Sequence, residues 1–408
     1  MRRVVVTGMS GITALGDSWD TIEPHLRAGR NAVRRMPEWD FVKDLNTRLG
    51  APVDGFQTPT HYARKMVRSM GRVSLMAVRA TEVALAHAGL LDDASIRDGR
   101  MGVAYGSSSG SVEPVRVFGK MLETGCMQGV TSTSYVQMMA HTTAVNIGLF
   151  FGLQGRIIPT SSACTSGSQG IGYAYEAIKW GRLPLMVAGG AEEISVSGAA
   201  VFDTLFATST QNDSPVLTPR PFDRARDGLV VGEGAATLIL EDLEHALARG
   251  AVPLAEIVGY ASTSDGTHVT QPQAQTMGQA MTLALKDAGL EAADIDYVSA
   301  HGTATDIGDI AESQATHAVF GSRIPISSMK SYLGHTLGAC GAIEAWWGIE
   351  MLQKSWFAPT LNLTDPDPAC AELDHLASAG RPIQARHIMS NNFAFGGINT
   401  SLIFKYLV

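Results

Sequence analysis

Cysteine is scarce in this chain. Its 408 residues hold four, Cys126, Cys164, Cys340 and Cys370, and no CxxC pair among them, so neither a disulfide framework nor a zinc site is signalled. Charge is thin as well: 17% of residues are Asp, Glu, Lys or Arg, against roughly 25% in ordinary globular proteins. The net charge of -8 disfavours a generally basic nucleic-acid binder. No run of about 18 apolar residues occurs, so no membrane span is expected. The opening MRRVVVTGMSG holds too short an apolar stretch for a secretory signal. Nucleotide-binding loops are missing too. TGMSGITALG, GSSSGS (106–111) and AGGAEE (188–193) fit neither GxGxxG nor GxxxxGK[ST], the spacings that let a loop cradle phosphate. The expectation is a soluble protein of a reducing, cytoplasmic compartment.

What is present reads as layered α/β. Hydrophobic residues reach 45%, and the length suits two or three domain-sized units. Glycine, 43 residues, exceeds the roughly 7% average. With so little charge, this points to close backbone packing and an extensive subunit interface. Strand-length apolar runs are expected at 3–7, 102–105, 156–159, 185–188 and 237–241. A second series follows at 254–260, 295–300, 324–327, 387–390 and 400–404, with helices between most of them. Three-four spacing predicts a helix over 73–88. IIPTSSACTSGSQGIGYAYEAI (157–178) and IPISSMKSYLGHTLGACGAIEAWWGI (324–349) share one order: strand, small-residue turn, helix rich in Gly, Ser and Ala. Duplication of one α/β unit explains this, and so does the ordinary recurrence of strand–turn–helix units.

Three residues carry potential chemistry. Cys164 follows a strand at the expected start of a helix, where unpaired backbone N–H groups favour a thiolate. Most lone cysteines are small buried hydrophobes, and Cys126, Cys340 and Cys370 keep that reading. His301 in SAHGTATDIGD and His335 in KSYLGHTLGACG each stand at a strand-to-helix corner. A histidine beside glycine in a turn is usually a structural hydrogen-bonder. Two of them with a cysteine at three such corners suggest a shared site. A metal held by Cys164, His301 and His335 is the competing arrangement, without supporting HxxxH or CxxC spacing.

SSACTSGSQGIGYA around Cys164, RPFDRARDGLVVGEGA (220–235), HGTATDIGD from His301, KSYLGH (330–335) and NNFAFGGIN (391–399) occur in this order. Together they resemble the β-ketoacyl-acyl-carrier-protein synthases of the decarboxylating Cys-His-His type. The resemblance implies the thiolase fold, a duplicated five-layer αβαβα, with a nucleophile-bearing half at 1–250 and a second half at 251–408. It implies a cytoplasmic homodimer and an acyl-carrier-protein partner, and no cofactor beyond the carrier's phosphopantetheine. Cys164 is then the nucleophile. The backbone N–H groups of Cys164 and Phe395 form an oxyanion hole, and Phe393 and Phe395 form a gating loop in which Ala394 replaces a common glycine. His301 and His335 hold the malonyl thioester oxygen. Lys330 and Glu312 form an orienting ion pair. Glu344, Ser390 and Asn391 brace the centre, in some members around a monovalent cation. Thr303, Thr305 and Thr270 bind pantetheine, and Ser109 lies on the acyl channel. Arg64, Lys65, Arg68 and Arg72 form the carrier dock, where Gln211 departs from a usual basic residue. Two other functions are weighed. A non-catalytic chain-length partner subunit typically lacks the cysteine present here. A degradative thiolase needs a second catalytic cysteine that NNFAFGGIN does not supply.

Overall fold

The computed structural model describes every residue except 378 and 408. Ten of the eleven strands of the central sheet are β1 Val4–Thr13, β2 Met101–Gly106, β3 Ile157–Thr160, β4 Leu185–Glu192, β5 Gly234–Asp242, β6 Ala255–Ser264, β7 Tyr297–Ser299, β8 Pro325–Ser327, β9 His387–Ala394 and β10 Ile398–Lys405. Each of the ten expected strands is found, most of them longer than their apolar runs. The exceptions are β3, of equal length but shifted by one residue, and the two shorter strands β7 and β8. A 3-10 turn at Ala292–Asp294 takes up part of the approach to β7. Residues of β1, β2, β4 and β5 are buried throughout, because helices cover both faces.

The strand order is β8-β7-β9-β10-β6-β1-β5-β4-β2-β3, with a short segment, Asp374–His375, on the β8 edge. Read outward from the middle, the order β1-β5-β4-β2-β3 repeats as β6-β10-β9-β7-β8. The directions repeat as well. The pairings β2/β3, β2/β4, β7/β8 and β7/β9 are parallel. The pairings β4/β5, β1/β5, β9/β10 and β6/β10 are antiparallel. The two series join where Val4–Val6 pair antiparallel with Ala255–Ile257.

Helices complete five layers. α1 Arg72–His87 and α2 Thr142–Phe151 lie on one outer face; α4 Ala274–Ala288 and α5 Asp306–Phe320 lie on the other. Between the two halves of the sheet run α3 Ser166–Lys179 and α6 Cys340–Lys354, which pack on each other. Both inner helices are buried nearly all round, as a middle layer requires. Their N-terminal ends meet through glycine. A Cβ on Gly167 would lie 2.9 Å from the Ala342 nitrogen, and one on Gly341 would lie 2.7 Å from the Ser168 nitrogen. This contact brings the turn before α3 against the turn before α6. Among the described residues, no helix is long and apolar enough to cross a membrane.

Candidate active site

Each inner helix is entered through one turn of 3-10 helix, Ala163–Thr165 before α3 and Leu337–Ala339 before α6. Ala163 and Leu337 open these turns with φ of 50° and 47°, the left-handed region that costs a side-chain-bearing residue about 1–3 kcal/mol. Such strain persists only where the surroundings impose it. Here it sets Cys164 at the mouth of α3, in the position that Gly338 takes before α6. The second turn leaves His335 just ahead of it, facing Cys164.

His335 Nε2 lies 2.9 Å from Cys164 Sγ. The ring centroids of His301 and His335 are 5.1 Å apart at 87°. All three residues are buried, and their ligand-type atoms fall within 4.8 Å of one another. The hydrogen bonds assign the tautomers. Leu337 N–H donates to His335 Nδ1 over 3.2 Å, so His335 carries its proton on Nε2. Lys330 Nζ reaches His301 Nδ1 at 3.1 Å, and Asn392 Nδ2 stands 3.5 Å away, which leaves the His301 proton on Nε2 as well. Burial first, and then the Lys330 ammonium, hold both imidazoles well below the ordinary histidine value. Both are neutral donors. A metal ion at this trio would sit beside that ammonium, so the geometry favours the imidazoles as donors rather than ligands.

The thiol departs from expectation. Burial pushes Cys164 up to about 11, although Lys330 and the backbone N–H groups of Phe395 and Cys164 pull it down. The helix-mouth donors are present, but desolvation outweighs them, and the resting sulfur is protonated.

The ion pair is also corrected. Lys330 Nζ binds Glu344 Oε1 at 2.5 Å, not Glu312. Burial lowers the ammonium pKa, but Glu344 foremost among its neighbours more than offsets this and raises it. Glu312 instead accepts from the backbone N–H groups of His301 and Gly302 at 2.7 and 2.6 Å. It fixes the loop that carries His301, and burial pushes its carboxyl up to about 8. Asp309, one turn earlier on α5, accepts from Thr303 and Ala304 N–H and completes that support.

A second correction concerns the brace. Asn392 Nδ2 donates to Glu344 Oε2 over 2.7 Å. Asn391 points to the other face of β9, where its Oδ1 accepts from Ser401, and Ser390 Oγ has no hydrogen-bond partner among the described residues. Glu344 thus faces the Lys330 and Asn392 nitrogens, and its side-chain partner on β9 is Asn392 in place of Asn391. Cys340, read from sequence as a small buried hydrophobe, is buried but also donates its thiol to the Cys164 carbonyl over 3.2 Å.

A cavity of about 460 Å³ opens onto Cys164, His301 and His335. Thr270, Thr303 and Thr305 line it, as do Phe393 and Phe395. The Thr303 and Thr305 hydroxyls are 2.9 Å apart, and Thr270 bonds His268. Phe202 stacks against Phe395 with centroids 5.1 Å apart. Ser109 is elsewhere, in a second cavity of about 190 Å³ with the buried Glu192. Arg64, Lys65 and Arg68 are exposed and form no ion pair among the described residues. Arg72 is not free for docking: its Nε and a terminal nitrogen bind the buried Glu233 at 2.6 and 3.0 Å. Gln211 is exposed.

A buried cysteine, two neutral imidazoles and converging amides at the floor of one cavity define a site for acyl transfer through sulfur. Models of the β-ketoacyl synthase N-terminal and C-terminal domains match residues 1–246 and 254–364, and the chain belongs to the β-ketoacyl synthase family. It is 36% identical over 412 residues to a 3-oxoacyl-[acyl-carrier-protein] synthase 2 of Vibrio cholerae, covering 99% of each. It is 35% identical over 414 residues to a 3-oxoacyl-[acyl-carrier-protein] synthase 1 of Haemophilus influenzae, again covering 99% of each. Among solved structures, a β-ketoacyl synthase from Burkholderia phymatum matches with a TM-score of 0.99 at 68% identity, covering 100% of both chains. The ishigamide ketosynthase/chain length factor matches at 0.91 and 30%, also over 100% of both. The layered architecture is the expected thiolase fold.

Proposed function

We propose that the chain is a condensing acyltransferase of chain elongation, a β-ketoacyl-acyl-carrier-protein synthase that joins malonyl units to an acyl group held on Cys164. The observation that carries this is the 2.9 Å approach of His335 Nε2 to Cys164 Sγ, with His301 across the same cavity.

In the first half-reaction the Cys164 sulfur forms a bond to the acyl thioester carbonyl carbon. The bond from that carbon to the pantetheine sulfur breaks, and the thiol proton leaves with the departing pantetheine. The oxyanion formed on the way faces the N–H groups of Cys164 and Phe395; one such donor is typically worth about 3–4 kcal/mol. The malonyl thioester then enters. Its carbon–carboxylate bond breaks, carbon dioxide leaves, and the electron pair moves onto the thioester oxygen as an enolate. The Nε2 protons of His301 and His335 stabilise that oxygen without giving up their charge state. The enolate carbon attacks the acyl-Cys164 carbonyl, the carbon–sulfur bond breaks, and the thiolate regains a proton from solvent. The released product is a β-ketoacyl thioester two carbons longer. No bound cofactor is needed, since decarboxylation supplies the carbanion.

Thr303 and Thr305 are assigned to the pantetheine amides, Phe393 and Phe395 to the gate, and Arg64, Lys65 and Arg68 to the carrier. Ser109 is assigned to the acyl end. The two halves divide near residue 250. The open β3 edge, with Ile157 exposed, supports pairing with a second copy in a cytoplasmic homodimer. A non-catalytic partner role is disfavoured by the assembled cysteine and histidines.

The test is condensation by purified protein given acyl-carrier and malonyl-carrier, with mass spectrometry of Cys164. Wild type should show an acylated Cys164 peptide and a β-ketoacyl product. Cys164→Ala should show neither, and retained condensation in that variant would overturn the proposal.

A further inference from the structure

The loop after a short helix, Val196–Asp203, presents Phe206 with 88% of its surface exposed and φ of 54°. The left-handed region favours glycine, and an aromatic side chain there in open solvent loses both backbone comfort and burial. Disorder does not explain it. Asp203 accepts from the Asn46 and Thr47 amides and from the Thr208 hydroxyl, and Leu229 bonds the loop through the Ala207 carbonyl and the Ser209 amide. The ring is therefore held out by a braced loop, and a fixed anchor loses little entropy on binding.

Its position is the mouth of the cavity that leads to Cys164. Leu205, Val269 and Ile307 line the same cavity and are exposed, so the opening carries several apolar groups besides Phe206. Cations do not: Arg226 in the lining is committed to Asp306 and Asp367. Whatever carries a tethered substrate into this opening must rest its body on the rim around the tether's attachment point.

We infer that Phe206 is an apolar docking anchor for the carrier protein and sets carrier preference, separately from the Arg64, Lys65 and Arg68 cluster. The occupant is a carrier that presents an apolar side chain beside its pantetheine attachment; this rests on the function proposed above. Truncating an interface anchor of this kind costs about 10-fold or more in affinity. Phe206→Ala should raise KM for carrier-borne acyl substrate by about that factor with little change in kcat, and Phe206→Leu should restore most of it. The defect should persist at about 1 M salt, where screening removes the effect of Arg68→Ala. An unchanged KM would overturn the inference. So would an equal loss with an acyl-pantetheine thioester lacking the protein body, which would make the ring part of the cavity instead. If wild type itself fails to condense, the proposed function fails; if wild type condenses and Phe206→Ala matches it, only the anchor does.

Discussion

Lys330→Met tests the electrostatic design of the site most directly. The change keeps much of the volume and removes the ammonium that touches both Glu344, at 2.5 Å, and His301 Nδ1, at 3.1 Å. Without that donor, only Asn392 at 3.5 Å remains near Nδ1, and the His301 proton is no longer fixed on Nε2. Losing one preorganised donor to a developing oxyanion lowers the rate by about 100- to 1000-fold. Leaving Glu344 buried without its cation costs about 3–5 kcal/mol of stability. The two losses separate in a rapid-quench experiment. Carbon dioxide release from malonyl-carrier should fall by at least about 100-fold, whereas acylation of Cys164, supported by its own and the Phe395 amides, should fall far less. The pH profile supplies an independent sign. Lys330 helps hold both imidazoles below the ordinary histidine value. The active form is neutral, so activity is lost as pH falls through those pKa values. Removing the cation raises them, and the acid limb of the variant should shift to higher pH. A variant that releases carbon dioxide at the wild-type rate, with an unmoved acid limb, would refute the tautomer assignment.

Two further predictions follow from the same interactions. With its thiol near 11 instead of the usual 8.5 or so, Cys164 in the free enzyme should react with iodoacetamide about 300-fold more slowly at pH 7 than an ordinary cysteine. The rate, mapped to the Cys164 peptide because exposed Cys126 will also alkylate, should climb about tenfold per pH unit up to roughly pH 10; a plateau near pH 8.5 would contradict this. Arg72→Ala should destabilise the fold by about 1–3 kcal/mol, because it strips a buried carboxylate of its partner, while Arg68→Ala should leave chemical denaturation unchanged and weaken carrier binding at low salt. The reverse pattern would return Arg72 to the dock.

The strands could be read from sequence as short apolar runs, the outer helix α1 from its three-four spacing, and the inner helices from the strand, small-residue turn and Gly-, Ser- and Ala-rich order that the two segments share. The convergence of Cys164, His301 and His335 was legible because each stands at a strand-to-helix corner with small residues around it. What failed was parity and partner choice. Neighbouring residues on β9 face opposite sides, so mistaking Asn391 for Asn392 exchanges the active-site side for the far side. Lys330 had two glutamates within a helix or two of it. Only the way the chain turns back from Lys330 onto α6 decides for Glu344, while the N–H groups at His301 and Gly302 claim Glu312. Arg72 and Glu233 are 161 residues apart, and nothing local announces their pairing. The thiol shift depends on how completely the layers exclude water, which helix-end reasoning does not weigh.

The paired inner helices have a consequence for how this chain can be divided. Each is covered in part by apolar surface from the other half, so a fragment ending near residue 250 would carry a central rod with one side left bare. Either fragment made separately should aggregate. Both made together should find each other and rebuild the reactive centre at their seam, since the sulfur lies on one fragment and the two imidazoles that serve it on the other.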